Sequence, residues 1–338
     1  MTKLRFSREQ LLRSHPYARP HVENGQRLHG GFDAEGRYLP PRMLERAPAI
    51  EAWTEALRGR GGDLLPADSS LLAGIRYPSE AQMKLLIREG LGQTFWNTLT
   101  ITGRIEARGR VLADMTFPEL GPAVEEDVSE MGVGHLNRGL LEAHGIDEGG
   151  EPGIGGHDQM WFALRDLAFG PTHYPEPAIP DIARPESEAV ELEGIPLAIQ
   201  RTVYFLANLL MIEFRAERGF AFTESLLRDP ELFTSRRPEA ERAAEIVGRI
   251  RADEEIHVTS LRLYLGEIAT LHFKTKDGGR VPGAELVAAL WGGIVNWATA
   301  LQPRLAAAQQ KKLLTERILA HADGLRILDA FHRLEEVA

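Results

Sequence analysis

The chain has 338 residues, no cysteine, and 39 basic against 49 acidic side chains, a formal net charge of −10. The lack of cysteine excludes disulfides, cysteine-ligated iron–sulfur clusters and a thiol nucleophile, and leaves histidine and carboxylates as the strong metal ligands, a set suited to iron or manganese rather than copper. The acidic balance argues against global attraction to nucleic acid or anionic lipid, and a chain this long can bury a large core in one elaborated domain or two.

No apolar run nears the roughly twenty residues that span a bilayer. The first twenty residues are broken by Lys3, Arg5, Arg8, Glu9 and Arg13 and lack the apolar core of a secretory signal. A cytoplasmic protein is expected, with no membrane and no nucleic acid as partners. Residues 1–77, rich in Arg, Gly and Pro, predict an N-terminal extension with one helix near Met43 to Arg58 and no chemical motif. The irregularly spaced His15, His21 and His29 read as surface or turn residues.

A helix start follows at Pro78-Ser79-Glu80-Ala81-Gln82, with Ser79 as N-cap and Gln82 in the reciprocal capping position. Leu91, Phe95, Leu99 and Thr102 step along one face to Glu106. This helix should end before Thr116-Phe117-Pro118, and a second should begin near Pro122, with Glu125, Glu126 and Asp127 in its first turn, where the helix dipole favours acids. Residues equidistant from the turn of an antiparallel hairpin lie at one level. Glu106 and Glu130 are equidistant from residue 118, so they should face each other.

Between His144 and Pro196 lie roughly fifty residues rich in Gly and Pro, including Pro171, Pro175, Pro177, Pro180 and Pro185. They read as a long connection with one helical island, His157 to Phe169. Gly153-Ile154-Gly155-Gly156 reads as a flexible connector ahead of it, and Trp161 and Phe162 as packing or the lining of a substrate entrance.

The next segment, Pro196 to about Glu224, carries Ile199, Val203, Leu206 and Leu210, which lead by helical steps to Glu213. An unpartnered carboxylate in so apolar a run is costly. Leu226 to Arg237, with Asp229-Pro230 and Arg237-Pro238, reads as a turn between antiparallel helices. From Pro238 to about Ile268, Ala243, Val247, Ile250, Leu261, Leu265 and Ile268 form a buried stripe that also holds Glu254 and His257. Glu213 and Glu254 are equidistant from the turn, and Glu254-Glu255-Ile256-His257 places a carboxylate and an imidazole on one helix face.

Two helical hairpins, each with a carboxylate opposite a carboxylate and one with an added Glu-x-x-His, resemble the ferritin-like dinuclear metal carboxylate superfamily over about Pro78 to Ile268. The resemblance implies an all-α fold: an antiparallel four-helix bundle over 78–275, with a long crossover at 145–195 between its second and third helices. Residues 1–77 would pack on the bundle as an N-terminal extension. It also implies a centre of two iron ions, of manganese, or of one of each. Coordination chemistry and the resemblance together make Glu130 and Glu254 the bridging carboxylates, Glu106 and Glu213 terminal carboxylates, His257 a terminal nitrogen ligand and His135 the second one.

One element departs from the pattern. Where a histidine is expected three residues after Glu130 the chain has Val133, and His135 lies five residues on, turned by about 140° on a regular helix. Gly132 and Gly134 would permit a compensating bulge. Otherwise Asp127, Glu126 or His144 assists, or the site holds one metal, and His135 is an ordinary hydrogen-bonded core histidine.

After Thr275-Lys276-Asp277-Gly278-Gly279, two C-terminal helices are predicted within 283–338, about Gly283 to Ala308 and Lys311 to Glu336, to extend or cap the bundle or form a homodimer interface. His321 and His332 there have no metal spacing. No phosphate-binding loop, dinucleotide turn or serine nucleophile elbow occurs. The expected activity is oxidation or hydroxylation of a small organic substrate with dioxygen, served by an electron donor. A helical binding or scaffold protein with a degenerate metal site, its carboxylates satisfied by arginines such as Arg104 or Arg251, is the alternative, with ferroxidase or metal-buffering work as a third reading.

Overall fold

The computed structural model describes residues 4–74, 76–186 and 192–334, with backbone alone at 305–309. The single turn α1 (Arg8–Leu11) leads into an antiparallel sheet of β1 (Arg19–Glu23), β2 (Gln26–Phe32) and β3 (Tyr38–Leu39), and then into α2 (Arg46–Gly59). The helices α3 (Glu80–Arg88), α4 (Gln93–Gly109), α5 (Leu140–Gly149), α6 (His157–Phe169), α7 (Leu197–Arg228) and α8 (Arg237–Ala269) follow. A two-stranded hairpin of β4 (His272–Lys274) and β5 (Arg280–Pro282) precedes α9 (Gly283–Asn296), a π-helical turn at Trp297–Leu301, α10 (Gln302–Leu319) and α11 (Gly324–Arg333). The protein is thus mostly helical, with two small sheets that the all-α expectation did not contain.

Two apolar cores divide the molecule. In one, Phe95 and Leu99 of α4 meet Met160 and Leu164 of α6, Phe220 and Leu226 of α7, and Val247 and Ile250 of α8. In the other, Val203 and Leu210 of α7 and Leu261 and Leu265 of α8 meet Trp53 of α2 and Leu290 of α9. The cores join at the level of Glu213 on α7 and Glu254 on α8, so those carboxylates interrupt the apolar stripes of the two long helices where the cores meet.

The Ser79–Gln82 capping box forms as expected at the start of α3, and the α7–α8 hairpin turns where predicted. The first predicted hairpin does not form. The helix from Ser79 is broken into α3 and α4, and the segment after Pro122 makes only 3-10 turns, at Gly121–Ala123 and Gly132–Arg138. The acids read as a helical first turn have other partners: Glu126 accepts from the His272 backbone N–H at 2.9 Å and ring Nδ1 at 2.7 Å, Glu125 lies 3.4 Å from Arg280, and Asp127 accepts from the Ser129 N–H at 2.9 Å. Tertiary pairing of these side chains outcompetes the weak helix-dipole preference.

The predicted C-terminal helices differ in their boundaries, since the first runs through the π turn into α10; residues 335 and 336 of the second lie outside the described residues, as do 187–191 of the predicted crossover. By length and composition alone, two helices could cross a membrane, Leu197–Arg228 and Gly283–Arg304, contrary to the reading of the sequence; 67 % of the apolar window of the first is buried in the protein.

Candidate metal centre

Five helices bring charged and imidazole side chains to the junction of the two cores. Glu106 comes from α4, His144, Asp147 and Glu148 from the last turns of α5, His157 from the first residue of α6, Glu213 from α7, and Asp253, Glu254 and His257 from α8; all are buried.

Two overlapping sets of ligand atoms lie within 4.8 Å of one another: His144, Glu148, Glu213 and His257, and Glu148, His157, Glu254 and His257. His144 Nε2 stands 3.0 Å from a Glu213 oxygen and 3.5 Å from Glu148. His257 Nδ1 stands 2.7 Å from Glu254 and 3.1 Å from Glu148. The His144 and His257 rings stack with centroids 3.8 Å apart.

His157 Nδ1 and Glu254 Oε1 approach to 2.8 Å without the alignment of a hydrogen bond, and both atoms, with Glu148 Oε1, are buried and make no hydrogen bond. Polar atoms buried without partners are rare because each costs on the order of 1–3 kcal/mol. Three of them converging on one point is the arrangement expected of metal ligands.

A further layer of side chains holds the imidazoles. The second ring nitrogen of His257, Nε2, faces Asp147 Oδ2 at 3.0 Å, and Asp147 in turn accepts from Arg42 Nε and Arg46 Nη2, each at 2.7 Å. His157 Nε2 lies 3.4 Å from Asp253 Oδ2, which also faces His29 Nε2 at 3.1 Å and the Tyr38 hydroxyl at 2.9 Å. Carboxylates behind both imidazoles fix which nitrogen points inward. The same contacts account for the third convergent group, His29, His157 and Asp253.

Protons are unevenly distributed over the cluster. Burial and the neighbouring Glu148 push Glu106 well above the usual carboxylate range, whereas Glu148, which burial would also raise, is drawn well below it by the Glu106 hydrogen bond and by His157 and His257. Glu213 is likewise raised by burial and by Glu254, which itself falls to about 2: against burial and Glu148, His257 and His157 hold it ionised. Burial would lower His157 and His257, but Glu254 above all raises both well above the ordinary value. His144 drops to about 3 through burial and the adjacent His257. Asp147 stays well below the carboxylate range despite burial because Arg42 and Arg46 flank it. A bound cation would displace the protons now shared among these groups. Four ionised glutamates would match the charge of two divalent ions.

Of the residues expected from the sequence, Glu106, Glu213, Glu254 and His257 meet here. Glu130 does not: its side chain is 45 % exposed and lies 3.6 Å from Arg5. His135 is buried elsewhere, its Nδ1 donating to the Met131 carbonyl at 2.7 Å and its Nε2 accepting from the Phe6 N–H at 3.2 Å, with its ring 4.7 Å from that of Trp53. With both nitrogens engaged it is the hydrogen-bonded core histidine of the alternative reading, and the loss of the predicted helix at Glu130 removes the frame that would have aimed either residue inward.

The sequence reading missed Glu148 and His157 as candidate ligands and had His144 only as a helper. His144-x-x-x-Glu148 is a same-face helical spacing, and it was obscured by the glycines that made this stretch resemble a connector. Gly145 is required there, since a Cβ would come within 2.4 Å of the Ala113 backbone nitrogen. The reading also assigned no chemistry to residues 1–77. His21 and His29 are in fact buried, and His29, Tyr38, Arg42 and Arg46 from this segment support the ligands.

A cavity of about 570 Å³ opens on the cluster, reaching Glu106, Glu148 and Glu213 between walls that include Val111, Leu112, Trp161, Phe205, Leu209 and Ile212. The protein is therefore a helical one with a buried His/Glu/Asp cluster that could bind a metal, compatible with a ferritin-like metal site. Comparison with family models, with curated proteins and with solved structures gave no match.

Proposed function

We propose that the protein is a nonhaem dinuclear metal oxidase or oxygenase that uses dioxygen to oxidise or hydroxylate a small organic substrate. In this reading α4, α6, α7 and α8 are the four helices of a ferritin-like bundle, α5 is an added ligand-bearing helix, and the long crossover lies between α6 and α7. The observation that carries it is the pair of overlapping ligand sets at the floor of a largely apolar cavity.

Glu148, common to both sets, would hold a metal ion in either, with Glu254 beside it. Glu213 and His144 would complete one position and His157 the other, with His257 committed to either and Glu106 next to Glu148 as a further carboxylate. Two iron ions, two manganese ions or one of each would supply the electron transfer to dioxygen that these side chains cannot perform. Hydroxylation would insert one oxygen atom into a C–H bond and release the other as water, taking two electrons and two protons from an external donor.

The apolar lining favours an organic substrate over iron storage, for which an acid-lined path would be expected. Under the scaffold alternative the carboxylates are satisfied by side chains alone; Arg104 pairs with Glu176 and Arg251 with Glu224, so the partners would be His144 for Glu213 and His157 and His257 for Glu254.

Elemental analysis of the purified protein tests the reading. About two iron or manganese ions per chain, lost in Glu254→Ala, together with dioxygen consumption by the loaded protein, is the expected result. No metal after reconstitution would overturn it, and one ion per chain would exclude the dinuclear centre.

A further inference from the structure

One face of α7 is only partly covered by the rest of the protein. Phe205, Leu209 and Ile212 on it are half-buried, whereas the neighbouring Leu206, Leu210 and Phe214 are fully buried. That face lines two cavities. The cavity on the candidate centre takes Phe205, Leu209, Ile212, Ala216, Gly219 and Thr223 from it, and a second cavity, of about 480 Å³, takes Ala198, Thr202, Phe205, Leu209 and Ile212. From 198 to 223 these positions advance by four and three residues in turn, one stripe of a helix, over ~38 Å of rise. The three shared residues fall in the middle of the stripe, so the chambers lie end to end along α7, and Glu213 adjoins Ile212 at their junction.

Ala183 and Arg184 also line both cavities, so a strap of chain crosses the stripe at the junction. Three side chains of α7 hold the strap: Asn208 Oδ1 accepts from the Arg184 N–H at 2.9 Å, the Tyr204 hydroxyl donates to the Pro185 carbonyl at 2.9 Å, and Arg215 Nη1 donates to the Ile182 carbonyl. The chamber on the candidate centre is elongated in the same sense, for Thr98, Thr102, Ile105 and Gly109 of α4 line it in steps of four, three and four residues. Every position of the α7 stripe is apolar or a threonine, and the Thr202 hydroxyl is already engaged by the Ala198 carbonyl at 3.0 Å.

We propose that the two chambers form one channel for an unbranched hydrocarbon chain, laid along α7 under the strap with an internal stretch beside Glu213. A compact molecule would fill one chamber and leave the apolar stripe of the other facing water, whereas an extended chain covers both. The small side chains at Ala216 and Gly219 leave room for the chain to continue past the glutamates. That the chain is a substrate rests on the oxygenase reading; that it binds does not.

The test is calorimetric titration of the full-length, metal-loaded protein, kept free of dioxygen, with 1-dodecanol and with cyclododecanol, which differ in shape but share carbon count and hydroxyl. The linear alcohol is expected to bind at least about tenfold more tightly, since two further buried CH₂ groups at about fourfold each suffice. Leu209→Trp, which sets an indole where the chambers meet, should remove that preference while the metal content stays that of the wild type. Ala183→Trp narrows the same junction from the strap and should do likewise; Ala183 is exposed, so this variant keeps the test decisive if Leu209→Trp does not fold. Equal binding of the two alcohols, no binding of either, or an unchanged preference in a folded variant would overturn the proposal. Chelator-treated wild type and dioxygen consumption separate the two readings. A preference for the linear alcohol that survives removal of metal, in a protein whose loaded form consumes no dioxygen, would keep the channel and sink the oxygenase; its absence from both forms would sink the channel and leave the metal centre to elemental analysis.

Discussion

Asp147 belongs to none of the convergent ligand-atom groups, yet the site's electrostatics depend on it. It accepts from Arg42 and Arg46 and stands against Nε2 of His257, so the inward Nδ1 is left for the cluster. Replacing it by asparagine keeps the shape but removes the charge, and leaves two buried guanidiniums facing a neutral amide. Asp147→Asn should weaken metal binding by about 10- to 100-fold, the range seen when outer-layer carboxylates are altered. A competition titration against a chelator of known affinity measures this, and unchanged affinity would mean that His257 is oriented by other contacts. The contrast with Glu130 is instructive. A carboxylate on the surface beside Arg5 is already solvated, and no cation is needed to stabilise it.

At the scale of the element, the centre depends on how closely short segments approach the long hairpin. The C-terminal end of α4 passes over α5 at Gly109, where a Cβ would lie 2.6 Å from Glu148 Cγ and 2.8 Å from its Cβ. The Glu148 side chain would have to shift, and with it the carboxylate shared by both ligand sets. In Gly109→Ala, metal content should fall below that of the wild type while helix content by circular dichroism stays the same or rises, since alanine favours helix over glycine by up to ~1 kcal/mol. Full metal loading in this variant would show that Glu148 can be displaced without loss of the site. The sheet β1–β3 has an equivalent supporting role: its His29 and Tyr38 reach Asp253, and the His29 N–H donates to the Gly155 carbonyl at 2.8 Å, fastening the start of α6 where His157 emerges.

For the whole molecule, one buried acid outside the centre links stability to pH. Glu267 near the end of α8 accepts from the N–H groups of Gly132 and Val133 at 3.2 and 2.9 Å, with Arg60 3.6 Å away, and so ties the 3-10 segment at 132–138 to the hairpin. Burial dominates and raises its carboxyl from the ordinary 4.5 to about 7, against the pull of those donors. The folded state therefore holds this proton more tightly than the unfolded chain. Its stabilising effect is complete below about pH 4.5 and is lost as pH rises through about 7, worth up to about 3 kcal/mol at about 1.4 kcal/mol per pH unit. Glu267→Gln cannot titrate, so the melting-temperature difference, wild type minus variant, should shrink or reverse between pH 4.5 and 8. A constant difference across that range would rule out a raised Glu267.

The α7–α8 hairpin and the convergence of Glu213, Glu254 and His257 were legible in the sequence alone, because a long apolar stripe has one period, the intervening X-Pro steps mark a turn, and a carboxylate or imidazole on that stripe needs a partner. Glu106 was legible for the same reason, although the geometry used to find it, a mirror about residue 118, paired it with Glu130. What only the tertiary structure decided is the remainder of the cluster. His144 and Glu148 lie on a glycine-rich helix whose low propensity is overridden by close packing, and His157 opens a helix that looked like an island in a connector. The outer layer of Asp147, Asp253, Arg42, Arg46, His29 and Tyr38 joins residues more than 100 positions apart in the chain. Such contacts leave no periodic trace in a single sequence, since local spacing encodes which face of an element is buried but not which distant element covers it.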